Sequence, residues 1–208
     1  MKKQKLMKKV EWVYIRWGGI FSVQLIKFWT KIHRSTQYDI QLSRPIDKHE
    51  VTIIASNHQT LLDPPAVFSA LSFSKLRDIS PVKFMTWHKY YNSIYKLPLY
   101  TTGCFPSHGN GLTGVDGAVY FAKNNYRSFI FPEGKRTDKN DRKKVYDGIV
   151  EVLKQQPEAR LILVYIDWEK RLKFFSRPPL VIKFFDAPVH VDKTNSTSIM
   201  NAIYGSKK

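Results

Sequence analysis

The sequence predicts an α/β fold with a mixed, mostly parallel central sheet flanked by helices. Apolar runs of strand length alternate with stretches of helical periodicity, the pattern that builds a sheet covered on both faces. Hydrophobic residues make up 43% of the 208 and charged residues 25%, enough to bury a sizeable core. No internal repeat, low-complexity linker or second-domain boundary interrupts the pattern. Two regions are expected: an N-terminal amphipathic, membrane-associated helix over 1–35 and the α/β domain over 36–208.

The chain opens on MKKQKLMKK and continues through the aromatic and aliphatic residues 10–34. The longest charge-free stretch there, Trp17 to Ile26, is ten residues, about half of what a spanning helix needs. Glu11 and Arg16 interrupt the apolar run and no small-residue cleavage site follows, so the segment is expected to be retained. Helical spacing brings Trp17, Phe21, Phe28 and Ile32 together, with a kink at Gly18 and Gly19. Nine Lys or Arg against one Glu leave the first 34 residues at +8. Rings that enter the headgroup boundary beside cations that meet anionic lipid make an interfacial helix. A helix packed on the domain with solvated lysines fits the same residues.

Downstream, Val51–Ala55 reads as a strand, and Asp63-Pro64-Pro65 as a helix start whose aspartate caps free N–H groups. That helix should run to about Phe73. Val82–Thr86 is a second strand, followed by a Tyr-rich segment, Tyr90–Tyr100, and a turn-rich stretch from Thr101 to Gly114 with four glycines. Val115–Asn124 and Val145–Gln155 have helical periodicity, while Ser128–Phe131, Leu161–Asp167 and Leu180–Phe185 are strands.

Thirty-four Lys and Arg against seventeen Asp and Glu give a net charge of +17. Such a field attracts an anionic partner: nucleic acid, an acidic membrane surface or a phosphate-bearing substrate. No recognition helix, zinc spacing or RNP-like aromatic strand is visible, so nucleic acid is not the expected partner. Cys104 is the only cysteine, which excludes an intrachain disulfide or a cysteine-rich metal site and fits a reducing compartment.

Two blocks carry chemistry. In Asn57-His58-Gln59-Thr60-Leu61-Leu62-Asp63, a histidine suited to general-base work stands five positions before an aspartate able to fix its tautomer. No protein nucleophile accompanies them, which suggests direct activation of a substrate hydroxyl. A helix cap and a surface turn histidine would look the same in sequence. In Phe131-Pro132-Glu133-Gly134-Lys135-Arg136-Thr137, an apolar strand ends in a turn presenting a carboxylate and two cations. Arg136 is built to grip a phosphate bidentately, with Lys135 as a mobile point charge. Glu133 could hold the loop, orient Arg136 or meet an acceptor hydroxyl; a plain polar turn is the other reading.

Taken together and in order, NHQTLLDPP and FPEGKRT resemble the lysophosphatidic acid acyltransferase family, defined by an NHxxxxD block and an FPEGxRS-like block. The resemblance extends over roughly residues 40–192, through KFMTW, a Gly103-Cys104-Phe105-Pro106 turn, LILVYID and PPLVIKFFDAPV. It implies that 36–208 is an acyltransferase domain in which His58 deprotonates an acceptor hydroxyl and Asp63 supports the imidazole. It implies that Glu133, Gly134 and Arg136 help to hold a phosphorylated acceptor, 1-acyl-glycerol-3-phosphate above all. The acyl donor would be acyl-CoA or acyl-carrier protein, with neither metal nor cofactor, at the cytoplasmic face of a membrane as a peripheral protein.

The sequence departs from the family pattern in three places. The glycine-led block that usually ends in arginine reads GCFPSHGNG here, leaving Gly103, Ser107 and His108 as the residues able to meet the acceptor. Trp87 stands where a lysine is common, with Lys89 two positions on. Lys135 replaces the usual small residue and adds a cation beside Arg136. Another lyso- or amino-lipid acceptor is therefore an alternative within the same chemistry, and a lipid-binding protein without turnover is one outside it.

Overall fold

The computed structural model describes residues 36–47, 49–60, 63–69, 81–86, 88–91, 103–109, 112–134, 145–168 and 180–206. The expected N-terminal helix, the far end of the helix expected to reach Phe73, most of the Tyr90–Tyr100 segment, Lys135 and Arg136 lie outside these residues.

The strands are β1 (Thr36–Gln41), β2 (Thr52–Ser56), β3 (Val82–Thr86), β4 (Cys104–Pro106), β5 (His108–Gly109), β6 (Leu112–Thr113), β7 (Arg127–Ile130), β8 (Arg160–Trp168) and β9 (Leu180–Asp186). Among the described residues the helices are α1 (Asp63–Ser69), α2 (His88–Tyr91), α3 (Gly114–Lys123), α4 (Gly148–Gln155) and α5 (Ser196–Gly205). Seven strands form one sheet in the order β1-β9-β8-β2-β7-β3-β4, and β5 with β6 forms a small antiparallel hairpin. The pairs β2–β8, β2–β7, β3–β7 and β3–β4 are parallel. β9 turns back against β8, and β1 runs parallel to β9. The sheet is thus mixed and mostly parallel, as the alternation of elements predicts.

Period-two alternation sorts the side chains onto two faces. Ile54, Phe129, Ile162 and Val164 pack on one side with Ala66 and Val67 of α1. Ile53, Ala55, Ile130, Leu161 and Leu163 pack on the other with α3, α4 and α5. Ile53, Ile162 and Leu163 have no solvent exposure, and each such side chain contributes about 2 kcal/mol of hydrophobic stabilisation. Burial on both faces is why these strands read as continuous apolar runs rather than as alternating ones. α3 begins with a reciprocal cap in which Thr113 and Asp116 each satisfy the other's backbone N–H.

Several elements differ from the sequence reading. α4 starts at Gly148 rather than Val145, because Tyr146 N donates to Pro132 O and draws residues 145–147 back along the turn after β7. The expected turn at Gly103–Pro106 contains an edge strand, β4, registered against Phe84–Thr86. Pro106 is accommodated at the end of that edge strand, where no further ladder donor is required of it. β1 and α5 were not expected. β1 is polar and at the sheet edge, and α5 buries Ile199, Met200 and Ile203 in the core with Ala202 and Tyr204 packed at its margin. Neither prints an apolar run.

Candidate active site

β2, β7, β3, β4 and β8 run the same way, so the loops that leave their carboxyl ends emerge along one edge of the sheet, where open α/β sheets place their sites. Both chemical blocks begin there. The β2–β8 ladder ends at Ser56 opposite Val164, and two side-chain amides then continue it. Asn57 Nδ2 donates to Ile166 O at 2.8 Å, and Asn57 Oδ1 accepts from Ile166 N at 2.8 Å. Gln59 Nε2 donates to Ile166 O at 3.1 Å, and its Oε1 accepts from Trp168 N at 3.1 Å. A side-chain amide offers the same donor and acceptor as a peptide unit. The edge of β8 is therefore satisfied while the main chain of 57–60 turns away from the sheet.

His58 sits between these two amides, with Nδ1 2.9 Å from Asp63 Oδ2. Asp63 is wholly buried and is the first residue of α1. Its Oδ2 also accepts from Gln59 N at 2.5 Å and Thr60 N at 2.8 Å. Its Oδ1 accepts from the Thr60 hydroxyl at 2.9 Å and from Trp168 Nε1 at 2.7 Å. The carboxylate therefore caps the turn before it rather than the N–H groups of α1, as a simple N-cap would. A carboxyl surrounded by donors acts as an acceptor, so the proton shared with His58 belongs on Nδ1. That assignment leaves the lone pair on Nε2. The imidazole also stacks on Phe131, centroids 4.1 Å apart and planes at 26°. Its side chain keeps 15% exposure, so the ring is reachable from solvent.

The second block meets the first through Glu133. Its carboxylate is almost wholly buried, accepts His58 N at 2.8 Å through Oε2, and accepts the Tyr204 hydroxyl through Oε1. Of the roles left open for Glu133, the one visible here is holding the two loops together. Gly134 N closes a tight turn onto Phe131 O at 2.9 Å. Gly134 has φ +65°, and a Cβ there would meet the Tyr146 ring at 2.8 Å, so glycine is required on both counts.

The remaining candidates stand apart from this cluster. Gly103, at φ +84°, accepts from Phe84 N at 3.2 Å and lets the chain enter β4. Ser107 N donates to Thr86 O at 2.7 Å. The exposed His108 lies 3.3 Å from Ser107 Oγ, with its ring edge-on to His88 at 5.8 Å. These residues flank β4, three places from β2 in the sheet, or about 14 Å at the usual strand spacing.

Four participants escaped the sequence reading: Asn57, Gln59, Trp168 and Tyr204. The first two carried a legible signal, since two amides spaced by two after a strand can continue its ladder. Trp168 and Tyr204 carried none, because they come from β8 and α5, more than a hundred residues downstream of His58. Among the described residues, no group of three or more His, Cys, Asp or Glu could hold a metal ion. Nor is any described helix long and apolar enough to cross a membrane.

Comparison with known proteins bears on the fold and the family. The chain is similar in fold to the 1-acyl-sn-glycerophosphate (LPA) acyltransferase PlsC from Thermotoga maritima, with a TM-score of 0.55 and 16% identity. The match covers 88% of this chain and 77% of that one. No curated protein sequence matches it. A family model described as Acyltransferase matches residues 37–166, which include both blocks up to Glu133 and Arg136 as well as β8 through Ile166. The chain belongs to the Acyltransferase family.

Proposed function

We propose that the protein transfers a fatty acyl group from an acyl thioester, acyl-CoA or acyl-carrier protein, to the hydroxyl of a lysophospholipid, with 1-acyl-glycerol-3-phosphate as the foremost acceptor. The observation that carries this reading is the 2.9 Å contact of His58 Nδ1 with the buried Asp63. His58 Nε2 takes the proton of the acceptor hydroxyl as its oxygen attacks the thioester carbonyl carbon. The tetrahedral oxyanion collapses with cleavage of the C–S bond, and the leaving thiolate recovers the proton from the imidazolium. The products are an ester and a free thiol. General-base assistance of this kind contributes about 10²–10⁴-fold, and Asp63 stabilises the imidazolium while it lasts.

The FPEG turn and its cations, Lys135 and Arg136, would hold the acceptor's phosphate, with Gly103, Ser107 and His108 as further contacts to the acceptor. The charge of +17 suits an anionic donor, an anionic acceptor and an anionic bilayer. We place the protein peripherally on a membrane surface through residues 1–35, a reading that flotation with anionic liposomes would check. A second acceptor class, another lyso- or amino-lipid, is favoured by one observation: GCFPSHGNG contains no arginine.

The test is an assay of purified protein with acyl-CoA and acyl-carrier protein against a panel of lyso-acceptors, read by mass spectrometry. We expect an esterified phospholipid from the wild type and none from a folded His58→Ala variant. No product with any acceptor, or full activity in His58→Ala, would overturn the reading.

A further inference from the structure

Tyr204 lies on α5, beyond the residues 37–166 that match the family, yet its hydroxyl reaches the centre of the site. α5 is held by contacts of its own. Asn195 accepts from Thr197 N at 2.9 Å and Ser198 N at 3.3 Å, capping the first turn. Ser196 Oγ donates to Asp147 Oδ1 at 2.7 Å, at the end of the strap that Tyr146 N ties to Pro132 O. Ile199, Met200 and Ile203 are buried in the same core cluster as Leu163 and Tyr165, and Tyr165 meets the Tyr204 ring edge-on at 6.4 Å. Lys183 Nζ donates to Ser206 O at 2.7 Å, placing a cation at the helix C-terminus. The Tyr204 hydroxyl therefore projects from a fixed platform.

Its acceptor is Glu133 Oε1, while Glu133 Oε2 accepts His58 N at 2.8 Å. The terminal torsion of a glutamate is broad, so one hydrogen bond leaves the carboxylate free to swing. A second bond on the opposite oxygen removes that freedom. We infer that Tyr204 is a positioning residue: through Glu133 it fixes the backbone of His58, and with it the height of the imidazole over the reacting hydroxyl. The functional part of this inference rests on the acyl transfer proposed above. The coupling of Tyr204 to His58 does not.

Tyr204→Phe tests it, because the ring keeps its packing while the donor is lost. A displacement of an ångström or less in a reacting group is enough to slow chemistry by one to two orders of magnitude. We expect kcat to fall about tenfold with KM for acyl donor and acceptor unchanged, as for a group that acts only on the chemical step. In parallel, protein labelled with ¹⁵N-histidine gives one backbone amide signal for each of six histidines. The His58 signal should move upfield and exchange with deuterium about tenfold faster, while the other five hold, as expected when a hydrogen bond to a charged group weakens. Glu133→Gln, which leaves one oxygen for two donors, should move the same signal. An unmoved His58 signal in both variants overturns the inference whatever the activity, and so does an unchanged kcat in an active enzyme. A rise in acceptor KM equal to the fall in kcat/KM would make Tyr204 a substrate contact instead. If the wild type esterifies no acceptor, the proposed function fails, and the His58 signal still decides the coupling.

Discussion

Trp168 donates its indole N–H to Asp63 Oδ1 at 2.7 Å, on the oxygen opposite the one that faces His58. The last residue of β8 thereby pins the carboxylate from the sheet side, while Gln59 N and Thr60 N pin it from the loop. The acid of the His–Asp pair is aligned by two independent parts of the chain.

Trp168→Phe removes that donor and keeps most of the apolar bulk. A hydrogen bond to a charged group is worth about 2 kcal/mol, and Asp63 Oδ1 retains the Thr60 hydroxyl. We expect stability to fall by about 1–2 kcal/mol and kcat to fall severalfold. Urea unfolding midpoints together with steady-state rates check both numbers.

Asp63→Asn should be far more damaging than its size suggests. The amide has one acceptor oxygen where the carboxylate has two, so it cannot serve both His58 Nδ1, Gln59 N and Thr60 N on one side and the Trp168 indole N–H on the other. It also lacks the charge that stabilises the imidazolium, and we expect kcat to drop by about 10³-fold or more. The buried donor left facing the amide NH2 adds a stability loss of about 3 kcal/mol. A kcat within tenfold of wild type would refute the orienting role of Asp63.

Gly134→Ala adds a Cβ 2.8 Å from the Tyr146 ring at a residue with φ +65°. The left-handed backbone costs about 1 kcal/mol for alanine, and the clash adds to it. We expect a loss of about 2–3 kcal/mol in all. Pairing it with Tyr146→Ala should recover the steric share but not the backbone share, which thermal unfolding of the three variants will separate.

The amino end of β8 carries an acid-sensitive ion pair. Burial pushes the Asp186 carboxyl up, but hydrogen bonds from Arg160 and Ser43, with the Arg160 charge, outweigh it and hold the pKa at about 2 instead of 3.8. A carboxyl depressed on folding contributes stability that is present above pH 4 and lost as pH falls towards 2. Discounted for solvent screening, the contribution is about 1 kcal/mol. Arg160→Met should lower stability at pH 6 and flatten the decline between pH 4 and pH 2. Chemical denaturation across that range measures it.

How far the site could be read in sequence follows from how it is assembled. His58 and Asp63 are five residues apart, so a local turn is enough to join them, and NHQTLLD shows them as a pair. FPEG is equally local as a turn, and Gly134 at its end meets the need for a positive φ. The strands of the central sheet announced themselves because burial on both faces demands continuous apolar runs, as in Thr52–Ser56 and Arg160–Trp168. β1 and β4 did not, because an edge strand needs fewer apolar residues and draws its identity from the partner it pairs with.

The sequence by itself determined the reaction chemistry it could support, the family pattern and the alternation of elements, since all three are written in short-range spacing and in burial. Only the tertiary structure decided what Glu133 does. Its carboxylate bridges His58 N to Tyr204 across 75 residues on one side and 71 on the other. The structure likewise decided that Trp168 completes the aspartate's shell and that Asn57 and Gln59 stand in for two rungs of a ladder. Hydrogen bonds over such separations depend on parallel strands delivering their carboxyl ends to one edge. That register is a property of the folded sheet rather than of any segment of the chain.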